Sequence, residues 1–208
     1  MSHARESTRK DDAFFSVERK RAALLVIDMQ NAFLEEGSML EVAAGRQIVA
    51  KLTRLINECR QLGVPVVWIQ LDSSEPYGGL LLEKYPALRE QRVLFKDDPS
   101  FELYQELPRP ETHEYRIVKH KYDAFHDTDL DTLLRSLGLD TLIITGVTTN
   151  CCCESTARSA FERNYRVAFT SDATAAFEER LHQATLGSIR ELFGRVLLVD
   201  ELIEELNN

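Results

Sequence analysis

Residues 141–161, TLIITGVTTNCCCESTARSAF, decide the fold. The β-branched apolar run Leu142, Ile143 and Ile144 reads as a buried parallel strand. It stops at Gly146, crosses a Thr-rich turn and enters a helix with Ala157, Ala160 and Phe161 on one face. A strand feeding a helix through a tight turn sets the first helical N–H groups, and the positive end of the helix dipole, at the carboxyl edge of the sheet. A thiol held there is expected to be biased towards thiolate. Three consecutive cysteines stand at the helix start, and neighbours about 100° apart around a helix cannot all face one point. Cys153 lies one turn before Ala157 and falls on the buried stripe, whereas Cys151 aligns with Ser155, Arg158 and Glu162 on the polar face. Cys152 lies between them and is the candidate nucleophile, although free cysteines are also common small core fillers.

Working outward, residues 22–27 form a continuous apolar run ending in Asp28, 65–71 (PVVWIQL) a second ending in Asp72, and 115–118 a third ending in Lys119. Between the first two, residues 45–62 carry Ile48, Val49, Leu52, Leu55, Ile56, Cys59 and Leu62 at helical spacing, with Gly63 as the stop. Cys59 and Trp68 read as core. Thr128, three residues before Asp131, suggests a capping box for a helix through Leu133, Leu134 and Leu137. Downstream come a strand at 166–170, a helix at 181–193 and a sixth strand at 196–199. This alternation predicts the α/β class, a parallel sheet covered by helices on both faces with right-handed crossovers.

The chain has 208 residues, 44% of them hydrophobic, enough for one domain over 22–208 with a full core. Residues 1–21 read as a flexible N-terminal arm whose only apolar anchors are Phe14, Phe15 and Val17. With 25 Lys+Arg against 34 Asp+Glu, net −9, a nucleic-acid or anionic-membrane surface is disfavoured. Four cysteines, three of them adjacent, make neither a disulfide framework nor a C-x-x-C metal site, which points to a reducing compartment. No apolar run approaches the roughly 20 residues of a membrane span, and the polar N-terminus lacks a signal core, so a cytoplasmic location is expected. Residues 75–114, with Gly78-Gly79, Pro86, Pro99, Pro108 and Pro110, form the least regular part, expected to serve as a lid, a specificity wall or an oligomer contact.

Parallel α/β sheets bind ligands beyond the carboxyl ends of their strands. Asp28, Lys119 and Cys152 all arrive at that edge. Singly, each has a plainer reading: a strand-end Asp caps a turn, a strand-end Lys is solvated, and a Cys packs. All three at one edge are less easily dismissed as packing and solvated residues.

The segments LLVIDMQNAF, VKHKYDAFHDTDLDTLL and ITGVTTNCCCESTARSAF resemble the isochorismatase-like cysteine hydrolases. The resemblance covers most of 22–199 and weakens over 75–114. In the family pattern G-V-x-T-x-x-C the cysteine falls on Cys152; its two flanking cysteines depart from that pattern. The resemblance implies a three-layer, Rossmann-like α/β/α fold with a six-stranded parallel sheet in the order 3-2-1-4-5-6, and a triad of Asp28, Lys119 and Cys152. It further implies an oxyanion hole from the backbone N–H groups of Thr148 and Cys152, with a cis bond at Val147–Thr148. No cofactor is implied, a small molecule is the expected substrate, and a homo-oligomer (dimer or tetramer) is the expected assembly.

Nicotinamidases of this family carry a metal-binding Asp-x-His after the second strand. Here Asp72 is followed by Ser73 and Ser74, so no metal site is expected. Members that cleave isochorismate lack the cysteine. The run TNCCCESTAR looks closest to the branch acting on ureido or N-carbamoyl compounds, such as ureidoacrylate amidohydrolases. The expectation is a metal-independent amidohydrolase that cleaves a C–N bond through a thioester and releases ammonia or amine. Isochorismatase or nicotinamidase chemistry is the alternative within the family; a thiol redox sensor and a catalytically silent binding module are the alternatives outside it. Phe33, Gln70, Tyr122 and Phe125 are the expected pocket residues, and His120 and His126 read as rim or surface.

Overall fold

The central strand β1 (Ala22–Ile27) is buried at every position, as a run without a polar residue requires when both faces of a sheet are covered. The computed structural model describes residues 15–208. In chain order the elements are β1, α1 (Asn31–Leu34), α2 (Ala43–Leu62), β2 (Val66–Leu71), α3 (Gly79–Lys84), α4 (Pro86–Glu90) and β3 (Tyr115–Lys119). There follow α5 (Leu130–Ser136), β4 (Thr141–Val147), α6 (Glu154–Glu162), β5 (Arg166–Ala175), α7 (Glu179–Leu192), β6 (Arg195–Leu197) and α8 (Val199–Asn207). The six strands are parallel in the order β3-β2-β1-β4-β5-β6, the three-layer α/β/α arrangement expected.

Period-2 alternation divides β1 between two cores. Leu24 and Val26 join Leu52, Leu55 and Ile56 of α2 and Leu202 and Leu206 of α8. Leu25 and Ile27 join Leu134 of α5, Ala157 and Ala160 of α6, and Leu186 and Ile189 of α7. Each large aliphatic side chain so buried contributes roughly 1.5–3 kcal/mol. Helix α2 ends at Gly63, whose left-handed φ of 72° lets its N–H bond the Arg60 carbonyl. Gly146, at φ 106°, marks the closest approach of β4 to β1: a Cβ there would lie 2.0 Å from the Ile27 carbonyl oxygen. Glycine at this point lets the nucleophile turn stand directly beside Asp28.

The structure departs from expectation in three places. The register shift between Ile144 and Gly146 lets β5 continue past Thr170 to pair Thr174 with Gly146 and Ala175 with Val147. The sixth strand ends at Leu197, and Val199 instead opens α8, whose Leu202, Ile203 and Leu206 repeat at helical spacing. The capping box at α5 is absent: the Thr128 hydroxyl donates to the Ala124 carbonyl, and Asp131 binds Arg135 and the Tyr165 hydroxyl. At the described end of residues 1–21, the chain packs on the body. Phe15 and Val17 are buried, the Val17 N–H donates to Glu205 (2.8 Å), and Arg195 donates to the Phe15 carbonyl (2.7 Å). Phe14 and the rest of the arm lie outside the described residues.

Candidate active site

Asp28 is the first residue past β1 and turns the chain with a φ of 51°, a left-handed conformation that Asp tolerates better than most residues. Its N–H still bonds the Ile69 carbonyl of β2 at 2.9 Å, which fixes the side chain at the sheet edge. Lys119, the last residue of β3, reaches it from two strands away. Its Nζ donates to Asp28 Oδ2 at 2.8 Å and to the Lys121 carbonyl at 3.1 Å, and both side chains are fully buried. After β4 the cis Val147–Thr148 bond leads into one wide helical turn, Thr149–Cys153, that delivers Cys152 next to this pair. The structure thus brings Asp28, Lys119 and Cys152 together. Asp28 Oδ1, on the same carboxyl group, has no hydrogen-bond partner among the described residues.

Electrostatics here run against the expected thiolate. The Cys152 thiol is pushed well above its ordinary value by its hydrogen bond to Cys151, then by burial and the Asp28 carboxylate, with Lys119 only partly opposing them. These neighbours favour the neutral thiol at Cys152. Through the same contact Cys151, which is less buried, is held below the ordinary thiol value. Burial also raises Asp28, against the pull of Lys119 and of the hydrogen bond from Cys152. Burial presses Lys119 down, yet Asp28 and Cys152 carry it above its ordinary value, so it stays cationic. A raised carboxylate next to a raised thiol is suited to exchange of one proton between them. Cys153 is fully buried, its thiol against the Thr145 carbonyl (3.8 Å), and Cys59 is core, its thiol pushed up to about 12 by burial.

A polar seam fixes the nucleophile turn to α7. The Thr149 hydroxyl and His182 Nδ1 are 2.8 Å apart and buried, Thr185 donates to Glu154 at 2.7 Å, and Arg158 spans Glu154 and Ser188. On its other side, the Ala124 N–H donates to Thr156 of α6, tying down the loop that follows Lys119.

Cys152 and Thr148 open onto a cavity of about 800 Å³. Phe33 and Tyr122 line it. Gln70 and Phe125 do not. Gln70 is turned to the Phe101 carbonyl (2.9 Å), and Phe125 packs on Tyr165. Much of the wall comes from the irregular 75–114 segment, through Lys84, Tyr85, Leu88 and Leu94, and sequence reasoning named none of them. It also missed Asn150, whose position in the turn between Thr148 and Cys152 was the available signal. Gln30 holds that segment to the sheet by donating to the Phe101 and Leu71 carbonyls (2.9 and 3.1 Å). His120 stacks on Tyr77 and binds the Asp72 carbonyl, His126 is exposed, and Trp68 is core with its Nε1 on Glu114.

The donor set after β2 does not fit a metal. Asp72 Oδ1 accepts from the Ser74 N–H and hydroxyl, and among the described residues no group of three or more His, Cys, Asp or Glu side chains is placed to hold an ion. No described helix is long and apolar enough to cross a membrane.

Residues 22–201 match the isochorismatase domain family. Nicotinamidase 3 of Arabidopsis thaliana is 38% identical over 87% of this chain and 85% of its own. Ureidoacrylate amidohydrolase RutB of Methylobacterium radiotolerans is 34% identical over 83% of this chain and 74% of its own. A crystal structure of a cysteine hydrolase from Pseudomonas syringae superposes with a TM-score of 0.88 at 30% identity, covering 93% of this chain and 95% of that one. The expected nearness to the ureido branch alone is thereby corrected: nicotinamidase and ureidoacrylate relatives stand at similar distances. Family model, fold and relatives agree, and the chain belongs to the isochorismatase-like hydrolase superfamily.

Proposed function

We propose that this protein is a metal-independent cysteine amidohydrolase, cleaving a C–N bond of an amide, ureido or N-carbamoyl compound through a thioester on Cys152. One observation carries the reading: a fully buried Asp28–Lys119 ion pair stands beside a buried cysteine on the wall of an apolar cavity.

In the resting site Lys119 neutralises Asp28 and the thiol keeps its proton. As Sγ adds to the substrate carbonyl, that proton passes to Asp28, whose raised pKa makes it a stronger base than an ordinary carboxylate. Lys119 balances the negative charge on sulfur while the proton is leaving, before the S–C bond forms and that charge moves to the carbonyl oxygen. The charge developing on the carbonyl oxygen is received by the N–H groups of Thr148 and Cys152. Asp28 returns the proton to the leaving nitrogen, and as a carboxylate again it activates water against the thioester, releasing the acid and restoring the thiol. No step needs a cofactor.

The test is an ammonia-release screen over amides, ureas, N-carbamoyl acids and nicotinamide, with and without chelator. Turnover that survives the chelator and vanishes in Cys152→Ala is the expected result. Turnover that survives in Cys152→Ala, or that the chelator abolishes, overturns the reading. Nicotinamide belongs in the screen because a relative named as a nicotinamidase is 38% identical.

A further inference from the structure

The cavity is graded in chemistry from one end to the other. At the reacting end Asn150, which lines the cavity, has a buried Oδ1 with no hydrogen-bond partner among the described residues. Such an atom is costly to leave unpaired, and an N–H group of an amide or ureide would satisfy it. Beyond Thr148, Asn150 and Cys151, the wall turns apolar and aromatic, with Phe33, Leu88, Tyr122 and Phe177 among its members. Among the described residues, Lys84 is the one charged side chain that lines it. This lysine ends α3, its Nζ is 5.3 Å from the centre of the Tyr85 ring, and among the described residues it has no carboxylate partner.

A volume of about 800 Å³ falls in the range that encloses drug-sized ligands. A short polar acid would leave most of the apolar wall in contact with water and gain nothing from it. On a chain of net charge −9, an anionic substrate also needs a local cation.

We propose that the substrate joins its reactive amide or ureido group to an alkyl or aryl body large enough to cover this wall, and ends in a carboxylate read by Lys84. The inference rests on the amidohydrolase reading and names its substrate class.

The full-length enzyme is assayed by ammonia release on propanamide, octanamide, 4-phenylbutanamide and the monoamide of octanedioic acid, with N-carbamoylglycine as the short ureido acid. The same compounds are titrated calorimetrically into Cys152→Ala, which reports binding whether or not the amides are cleaved. Both kcat/KM and affinity should rise at least about 100-fold from propanamide to octanamide, a rise that two well-packed methylenes of the five added would supply at about tenfold each. The terminal carboxylate should add about fivefold, the scale of an exposed ion pair. Lys84→Met should close the gap between the monoamide and octanamide, and Lys84→Glu should reverse it. Propanamide or N-carbamoylglycine performing as well as the long members, or Lys84→Glu lowering octanamide and the monoamide equally, overturns the proposal. Binding that follows the predicted order without ammonia release from any compound would instead remove the proposed reaction and leave the cavity's preference standing.

Discussion

The two ends of the cavity are built on different physical terms. At one end Cys152, with Asp28 and Lys119 behind it, stands at the carboxyl edge where β4, β1 and β3 finish, a position set by backbone ladders and by two full cores. At the other, Lys84, Tyr85 and Leu88 belong to a Pro-rich segment of two short helices, held to the sheet through the Phe101 carbonyl and the bridge between Gln30 and Leu103. On the proposed function the difference teaches a division of labour, in which the ladders place the reacting atoms and the irregular segment selects what reaches them.

The largest effect should come at the triad. Cys152→Ala should lower kcat by ~10⁴-fold or more, while Tyr85→Ala should act on KM with kcat nearly unchanged. A matching loss of kcat in Tyr85→Ala, measured by steady-state kinetics, would break the division. Next is stability. Lys119→Ala leaves a buried carboxylate without its cation and should cost about 3–5 kcal/mol in urea unfolding, whereas the double variant Asp28→Asn, Lys119→Met should lose clearly less. A smaller cost is expected from Thr149→Val, which strips His182 of its buried partner, about 1–3 kcal/mol on the same measurement.

The pH profile sharpens the comparison without any substitution. Asp28 must be ionised to take the proton, and burial raises its pKa, so the acid limb of kcat/KM should rise through a pH above the ordinary carboxylate value of about 3.9. The resting thiol, raised in turn, should show no thiolate absorbance below the ordinary value of about 8.5 at Cys152. An acid limb at or below 4 would mean that Asp28 is not the base.

What the sequence made legible follows the same line. The strands could be read because uninterrupted apolar runs such as ALLVI admit little else, and the polar residue closing each run marked the sheet edge; the strand order was implied by the family resemblance and not by the runs. The charge state of Cys152 could not be read, since it depends on three-dimensional neighbours: Cys151, Asp28 and the depth of burial. Gln70 was misplaced because its partner, the Phe101 carbonyl, sits in a short turn with no periodic signal. The same lack of period hid Lys84 and Tyr85. In α8, the run VLLV disguised a switch from strand to helical spacing.

The most direct test of the central claim is acid quench during turnover of a cleavable amide, followed by peptide mapping of residues 141–161. An acyl group in thioester linkage on Cys152, absent in Asp28→Asn, is the predicted result. The same group on Cys151 or Cys153, or turnover with no sulfur-bound acyl group, would contradict it.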